Sequence, residues 1–331
     1  MADEMFDLME HDEENLMPAH ALALSDEFHR GLAEFGDTRC CLVYDQTTGP
    51  PADDKVAADW VQDGCQWVEV PVRHPQMNRS MWPLWLPIDI QTAHGSHTIQ
   101  TSLAAALSEL RPEVLRSGAG RRIGGWLCLH DGQSIPQAAT QFGLSMLQSP
   151  PQGGTVLLRL YDPAVLWIVW MLLDAEQQAA LLGAIRQYWF LNPMGQLCKL
   201  ESKSTSKDTL RLRNDQWRDV MLIQPLNQAL RVWLDENAAM RSDLQLVDAL
   251  RSTAMEALRR GVAHGLSDYM DLAAFAGHAL SIHSHFDEHP AVQELLRRRK
   301  VDDEHYTSVI EVLTSADWQK ISFDQRQAGR A

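Results

Sequence analysis

The stretch Gly153–Phe190, GGTVLLRLYDPAVLWIVWMLLDAEQQAALLGAIRQYWF, constrains the fold more than any other part of this 331-residue chain. It reads as one strand followed by two helices. Thr155–Tyr161 is rich in β-branched and apolar residues and follows a glycine pair, the pattern of a buried strand. Asp162 offers a carboxylate to cap a helix, and Pro163 fits the first helical turn, where a missing N–H costs nothing. Ala164–Leu173 is apolar throughout, so this helix is expected to be buried on nearly all sides. It is far too short to span a bilayer. Asp174-Ala-Glu-Gln177 is an Asp form of the capping box and opens a second helix, which Tyr188 and Trp189 close.

Upstream, residues 1–37 form an acidic lead-in with seven acidic residues before position 15. One amphipathic helix is expected over Ala19–Phe35, with Leu22, Phe28, Leu32 and Phe35 loosely on one side. Strands are expected at Cys40–Asp45, Gln66–Val70 and Ile123–His130. A further strand, Met81–Ile90, carries two prolines that place it near a sheet edge. Helices are expected around Asp53–Val61, over Thr98–Leu115, and from a capping box at Ser134-Ile-Pro-Gln137 to Leu147. Residues 38–199 therefore read as an α/β-like lobe with a small, mixed, five-stranded sheet flanked by helices.

Leu200–Asp208, LESKSTSKD, is polar and reads as a linker or hairpin tip. The rest, residues 200–323, reads as an all-helical lobe. Its helices are expected over Asn214–Leu234, after the Ser242 cap with Val247, Leu250, Ala254 and Leu258 inward, over Ser267–Ile282, from His289-Pro290, and from Asp302 or Asp303. Residues 324–331 form a polar tail. The expected class is α+β.

The formal charge of −15 argues against free-standing nucleic-acid binding, which needs a basic footprint, and against anionic membrane surfaces. The basic run Arg297–Lys300 complements the dipole at a helix end. Five cysteines, Cys40, Cys41, Cys65, Cys128 and Cys198, are an odd number without a CxxC pair, which suits reduced thiols in a cytosol. The acidic start lacks the basic and apolar regions of a signal peptide, so a cytoplasmic location is expected. Eleven tryptophans supply large apolar area for core and interface alike.

Catalytic and metal motifs are weak. Gly118-Ala-Gly120-Arg-Arg-Ile-Gly124 sits after a helix and before a strand, the reverse of a dinucleotide-binding loop. His278, His283, His285 and His289, with Asp287 and Glu288, form the densest ligand-capable cluster, yet no third ligand follows at helical spacing from His283 or His285. His130-Asp131 with Ser134 lacks a nucleophile elbow. Asp53-Asp54 and Asp302-Asp303 read as turn and cap residues. No catalytic residue, metal or cofactor is expected. The alternative is a hydrolase or metal-dependent enzyme built on the His278–His289 cluster.

The order strand, Arg159-Leu-Tyr161-Asp162-Pro163, apolar helix, Asp-x-x-Gln helix resembles the domain-of-unknown-function 4123 family, with Leu158 and Ala164 where that family has Phe and Arg. In the C-terminal half, Gly261, Gly277, Phe286-Asp287 and Pro290 follow its Gly … Phe-Asp-x-x-Pro order, so the resemblance covers residues 40–320. The family's members are adaptor chaperones that load toxic effectors onto the type VI secretion spike. The resemblance implies a non-enzymatic cytoplasmic adaptor whose partners are a cognate effector, through its N-terminal region, and a spike protein of the VgrG type. A groove between the lobes is then the expected binding place. Candidate partner contacts are Trp82, Trp85, Arg159, Tyr188, Trp189, His283 and Phe286, with Tyr161, Asp162 and Pro163 as the structural motif.

Overall fold

Strand β1, Arg39–Tyr44, is buried at every position after the first, so it must be covered on both faces. In the computed structural model it lies inside a six-stranded sheet of order β2-β3-β1-β4-β7-β8, where β2 is Val68–Glu69, β3 Leu84–Asp89, β4 Ile123–Leu129, β7 Ile185–Leu191 and β8 Leu197–Glu201. Every pairing is antiparallel. The sheet is therefore neither five-stranded nor mixed, although the α+β class holds. The structure describes residues 20–328 apart from 35, 37–38, 50, 52–54, 62–65, 112–113, 115–119, 238–239 and 241–243. Phe35, the Asp53-Asp54 pair, Cys65, Gly118 and the Ser242 cap lie outside the described residues, as do residues 1–19 and 329–331.

The chain divides into two units, Met1–Asn214 and Asp215–Ala331. In the first, helix α1 (residues 20–33) and helix α2, Ala93–Ser108, cover one face of the sheet; Phe28, Leu32, Ile99 and Leu103 pack there against Leu42, Leu86, Trp126 and Trp189. Leu22, expected on the inner side of α1, is half exposed, and Ala21 and Leu24 are buried instead. The opposite face carries Trp85 and Tyr188, which meet Phe142 of helix α3, Ile135–Ser145. Ser134 precedes α3 but makes no side-chain cap bond.

The organising segment differs from its sequence reading in two places. Only Val156–Leu157 (β6) is a strand, paired with Leu147–Gln148 (β5) in a separate two-stranded sheet. Helix α4, Pro163–Leu172, follows, with the Asp162 carboxylate accepting from the Ala164 amide at 3.0 Å. Leu166–Val169 are buried, whereas Met171 is 60 % exposed. Helix α5, Ala175–Leu182, opens on the full Asp174–Gln177 capping box and stops at Gly183, whose φ of 58° suits a residue without a side chain. Tyr188 and Trp189 therefore lie on β7, inside the sheet, and not at a helix end. Asp162→Ala is expected to cost about 1 kcal/mol and Asp162→Asn less, since Asn also caps well; urea titrations of the three proteins decide this, and an unchanged midpoint for Asp162→Ala removes the cap from the account.

The polar run after residue 200 is not a free linker. Leu197–Glu201 is a strand, and residues 202–213 are strapped to the first unit by side-chain amides and hydroxyls. Gln141 Nε2 donates to the Ser206 and Asp208 carbonyls, both at 2.8 Å. Ser145 Oγ accepts from the Leu210 amide, and Gln148 holds the Leu210 carbonyl and the Leu212 amide. Gln177 Nε2 donates to the Arg211 carbonyl at 2.8 Å. These bonds carry the unit boundary to Asn214, beyond the expected residue 199.

The described elements of the second unit are helical: Trp217–Val220 as a single turn, then α6 Ile223–Glu236, α7 Leu244–Ala263, α8 Tyr269–Ser281, α9 Pro290–Asp302, α10 Tyr306–Ile310 and α11 Ser315–Ala328. Residues 324–328, expected as tail, belong to α11. Among the described residues no helix is long and apolar enough to cross a membrane.

Candidate functional site

A groove of about 660 Å³ opens on the first unit where four loops and one strand meet. Its lining includes Thr47, His74, Pro75, Met77, Met81, Val156, Leu157, Arg159 and Tyr161. The glycine pair of β4 positions one wall. A Cβ at Gly124 would lie 2.4 Å from the Tyr161 carbonyl oxygen, so only glycine lets the Arg159–Asp162 turn settle against the sheet. The turn itself is closed by the Asp162 amide donating to the Arg159 carbonyl at 2.9 Å.

Behind the groove sits Asp45, at the end of β1 and 1 % exposed. Its carboxylate accepts from the Thr47 amide at 2.9 Å, the Thr47 hydroxyl at 2.7 Å and Arg159 Nη2 at 2.9 Å. Burial raises the Asp45 pKa above the ordinary value, against those bonds and the Arg159 charge. Arg159 also lies 3.8 Å from Asp162 and stacks over the Tyr161 ring at 5.4 Å. Burial works against its charge, but Tyr161, Asp162 and Asp45 outweigh that and keep the guanidinium protonated. Burial pushes the Tyr161 hydroxyl to about 12, so it stays neutral. This arrangement fixes a cation at a groove wall.

No protein-family model matches this chain, nor does a curated protein or a solved structure.

Of the candidate contacts, Arg159 lines the groove, and the Tyr161-Asp162-Pro163 motif supports it. The aromatics go elsewhere. Trp85, Tyr188 and Trp189 are 0, 0 and 5 % exposed and form the core of the first unit. Trp82 is half-buried at the end of a 3₁₀ turn, and its carbonyl accepts from Gln46 Nε2 at 2.6 Å. The segment Leu84–Asp89 is not an edge strand, because β1 pairs along all of it and β2 adds over Leu84 and Trp85. Pro83 and Pro87 are tolerated because only part of its outer side is paired. Phe286 is fully buried in the second unit, with Phe275 at 4.9 Å between ring centroids. Sequence reasoning missed His74 and Met77, which sit in an irregular loop with no periodic signal, and Met81, which ends a 3₁₀ turn where a strand was expected to begin.

The histidine cluster does not converge. His278 donates or accepts with the Tyr306 hydroxyl through Nδ1 at 2.7 Å and stacks on Trp318. His283 and His285 have ring centroids 6.3 Å apart, and His285 turns to Glu288 at 3.1 Å. His289 caps α9 through the Ala291 amide and meets Asp324 at 3.4 Å. Asp287 is held by Arg260 and by His264 at 3.2 Å.

Among the described residues, Asp268, Asp271 and His305 bring three potential ligand atoms within 4.8 Å. Their geometry is that of linked helix caps. Asp268 Oδ1 accepts from the Met270 and Asp271 amides, and Asp271 accepts from the Tyr306 and Thr307 amides and the Thr307 hydroxyl. The hydrolase grouping is also apart: among the described residues no hydrogen bond joins His130 to Ser134. Cys41 and Cys128 are held as thiols by burial, which pushes both to about 12.

Proposed function

We propose that this chain is a non-enzymatic adaptor that binds a type VI secretion effector, through the effector's N-terminal region, and loads it onto the spike protein. The observation that carries the reading is that the Arg159-Leu-Tyr161-Asp162-Pro163 stretch, on which the resemblance to the 4123 family rests, supplies Arg159 and Tyr161 to the lining of an open groove. A fixed cation beside apolar walls suits reversible protein binding, in which affinity comes from a few anchors and no bond is made or broken. The site needs no cofactor, and cytoplasmic assembly before export fits the acidic composition.

Co-expression of the tagged full chain with the effector and the spike protein tests this. The effector should be retained on the chain, lost when its N-terminal region is deleted, and recovered with the spike protein only when the chain is present. Equal recovery of effector on the spike protein with and without the chain would overturn the reading.

A further inference from the structure

Resting on the adaptor reading, we propose that the Arg159 groove holds an extended, internal segment of the partner, which adds as a strand to the open edge of β6 and turns an acidic side chain toward Arg159.

The edge follows from the hydrogen-bond register. β6 pairs with β5 alone, Leu147 opposite Leu157 and Gln148 opposite Val156. The Leu158 amide donates to the Met146 carbonyl at 2.8 Å and continues that ladder. In an antiparallel pair, hydrogen-bonded and non-bonded positions alternate. The Leu157 amide and carbonyl therefore point away from β5, and Leu157 lines the groove. The Thr155 carbonyl, two residues back on the same side, accepts from His74 Nε2 at 3.1 Å. Open donors and acceptors along a strand edge are completed by another extended chain.

The walls set what that chain carries. Pro75, Met77, Met81 and Val156 offer apolar contact, and methionine adapts its shape to the side chain it meets. The charge is the more selective feature. Among the described residues the lining contains the Arg159 guanidinium and no carboxylate, in a chain of net charge −15. The Asp45 side chain is 2 % exposed and lies behind the guanidinium, while Arg159 is 42 % exposed. Asp162, 3.8 Å from the guanidinium, is 23 % exposed but lies outside the lining, so a ligand entering the groove meets the cation first and an acidic group is the complement. A terminal carboxylate is captured by a nest of backbone N–H groups. The lining offers a single guanidinium instead, which suits an internal Asp or Glu.

The test uses the immobilised full chain and a displayed library of random peptides, separately from the effector experiment. Enriched peptides should carry Asp or Glu close to an apolar β-forming residue and need no free C-terminus. Gln76, exposed in the lining, gives a charge test that leaves the core alone. Gln76→Glu should weaken a selected peptide about threefold and Gln76→Lys strengthen it by a similar factor. Arg159→Gln should weaken it about tenfold, as should N-methylation of the peptide amide that pairs with Leu157. The proposal falls if nothing is enriched, if the enriched peptides are basic or depend on a free C-terminal carboxylate, or if both Gln76 variants bind alike. Because Gln76 is exposed, that last outcome is readable even where Arg159→Gln does not fold. Each of these failures leaves effector retention by the full chain, and with it the adaptor reading, to be judged on its own result.

Discussion

Trp189→Ala is expected to destabilise the first unit by about 3–5 kcal/mol, the usual cost of emptying a core aromatic. Trp189 stands opposite Trp126 on the neighbouring strand. Its ring meets Phe28 of α1 edge-on at 5.5 Å between centroids, and Lys199 Nζ lies 5.3 Å from the ring centroid. A Cβ built on Gly31 would come within 2.3 Å of the indole, so α1 rests directly on it. The variant also leaves the Gln187 Oε1 atom, which now accepts from the indole N–H at 3.0 Å, without that donor inside the core. Strand and helix are both anchored elsewhere, so the space cannot close by collapse. Urea denaturation should show the loss, and amide exchange over residues 20–33 should rise more than over β1. Trp85→Ala should fall in the same range, since Trp85 is fully buried against Phe142. Variants that melt within a few degrees of wild type yet lose partner binding would make these tryptophans contacts instead.

That contrast shows which parts of the fold the residues announce. The Asp162 cap and the Asp174–Gln177 box were legible because each is closed within three residues by a backbone amide. Strands β1 and β4 were legible because apolar residues run through positions buried on both faces. β7 was not, because Ile185–Leu191 continues straight from a helix and its aromatics fit a helical stripe as well as a pleat. The stop is one glycine, Gly183, whose role depends on its conformation and not on its neighbours. The strap over residues 202–213 was hidden for another reason. Its backbone is satisfied by Gln141, Ser145, Gln148 and Gln177, which lie 34–67 residues earlier. A chain held that way needs no apolar pattern of its own, so its composition reads as linker.

The candidate site divides along the same line. Arg159, Tyr161 and Asp162 were marked by their local sequence. Their partner Asp45 lies 114 residues from Arg159 and is joined to it only by the fold. The aromatic anchors were misplaced because a tryptophan count cannot separate core from surface; cross-strand pairing does so here by setting Trp189 opposite Trp126.

Acidification from pH 7.5 to 4 is expected to remove about 3 kcal/mol from the second unit through His278 alone. Its imidazole lies among Phe286, Tyr306 and Trp318, and burial lowers its pKa from 6.5 to about 4. The sign follows from linkage. Above 6.5 both folded and unfolded chains hold a neutral ring, and the stability is fully present. As pH falls through 6.5 toward 4, the unfolded chain takes up the proton and the folded chain does not, so unfolding is favoured progressively. The difference between 6.5 and about 4, at about 1.4 kcal/mol per pH unit, amounts to about 3.5 kcal/mol when complete, and half-protonation of the folded ring at pH 4 leaves about 3 kcal/mol. Asp271 does not overlap this window. Burial works against its carboxylate, but the Thr307 and Tyr306 amides outweigh that and hold its pKa below the usual value of 3.8, so its contribution is lost only at lower pH. Release should begin at α11, because Trp318 is stacked on His278 at 4.6 Å between centroids and Ser322 ties the same helix to the Ile282 carbonyl. Denaturation of wild type and His278→Gln at several pH values, read by tryptophan fluorescence, isolates the effect. The variant carries no titrating ring, so its stability should fall about 3 kcal/mol less across the interval. Parallel curves for the two proteins would show that His278 accepts its proton without leaving the core.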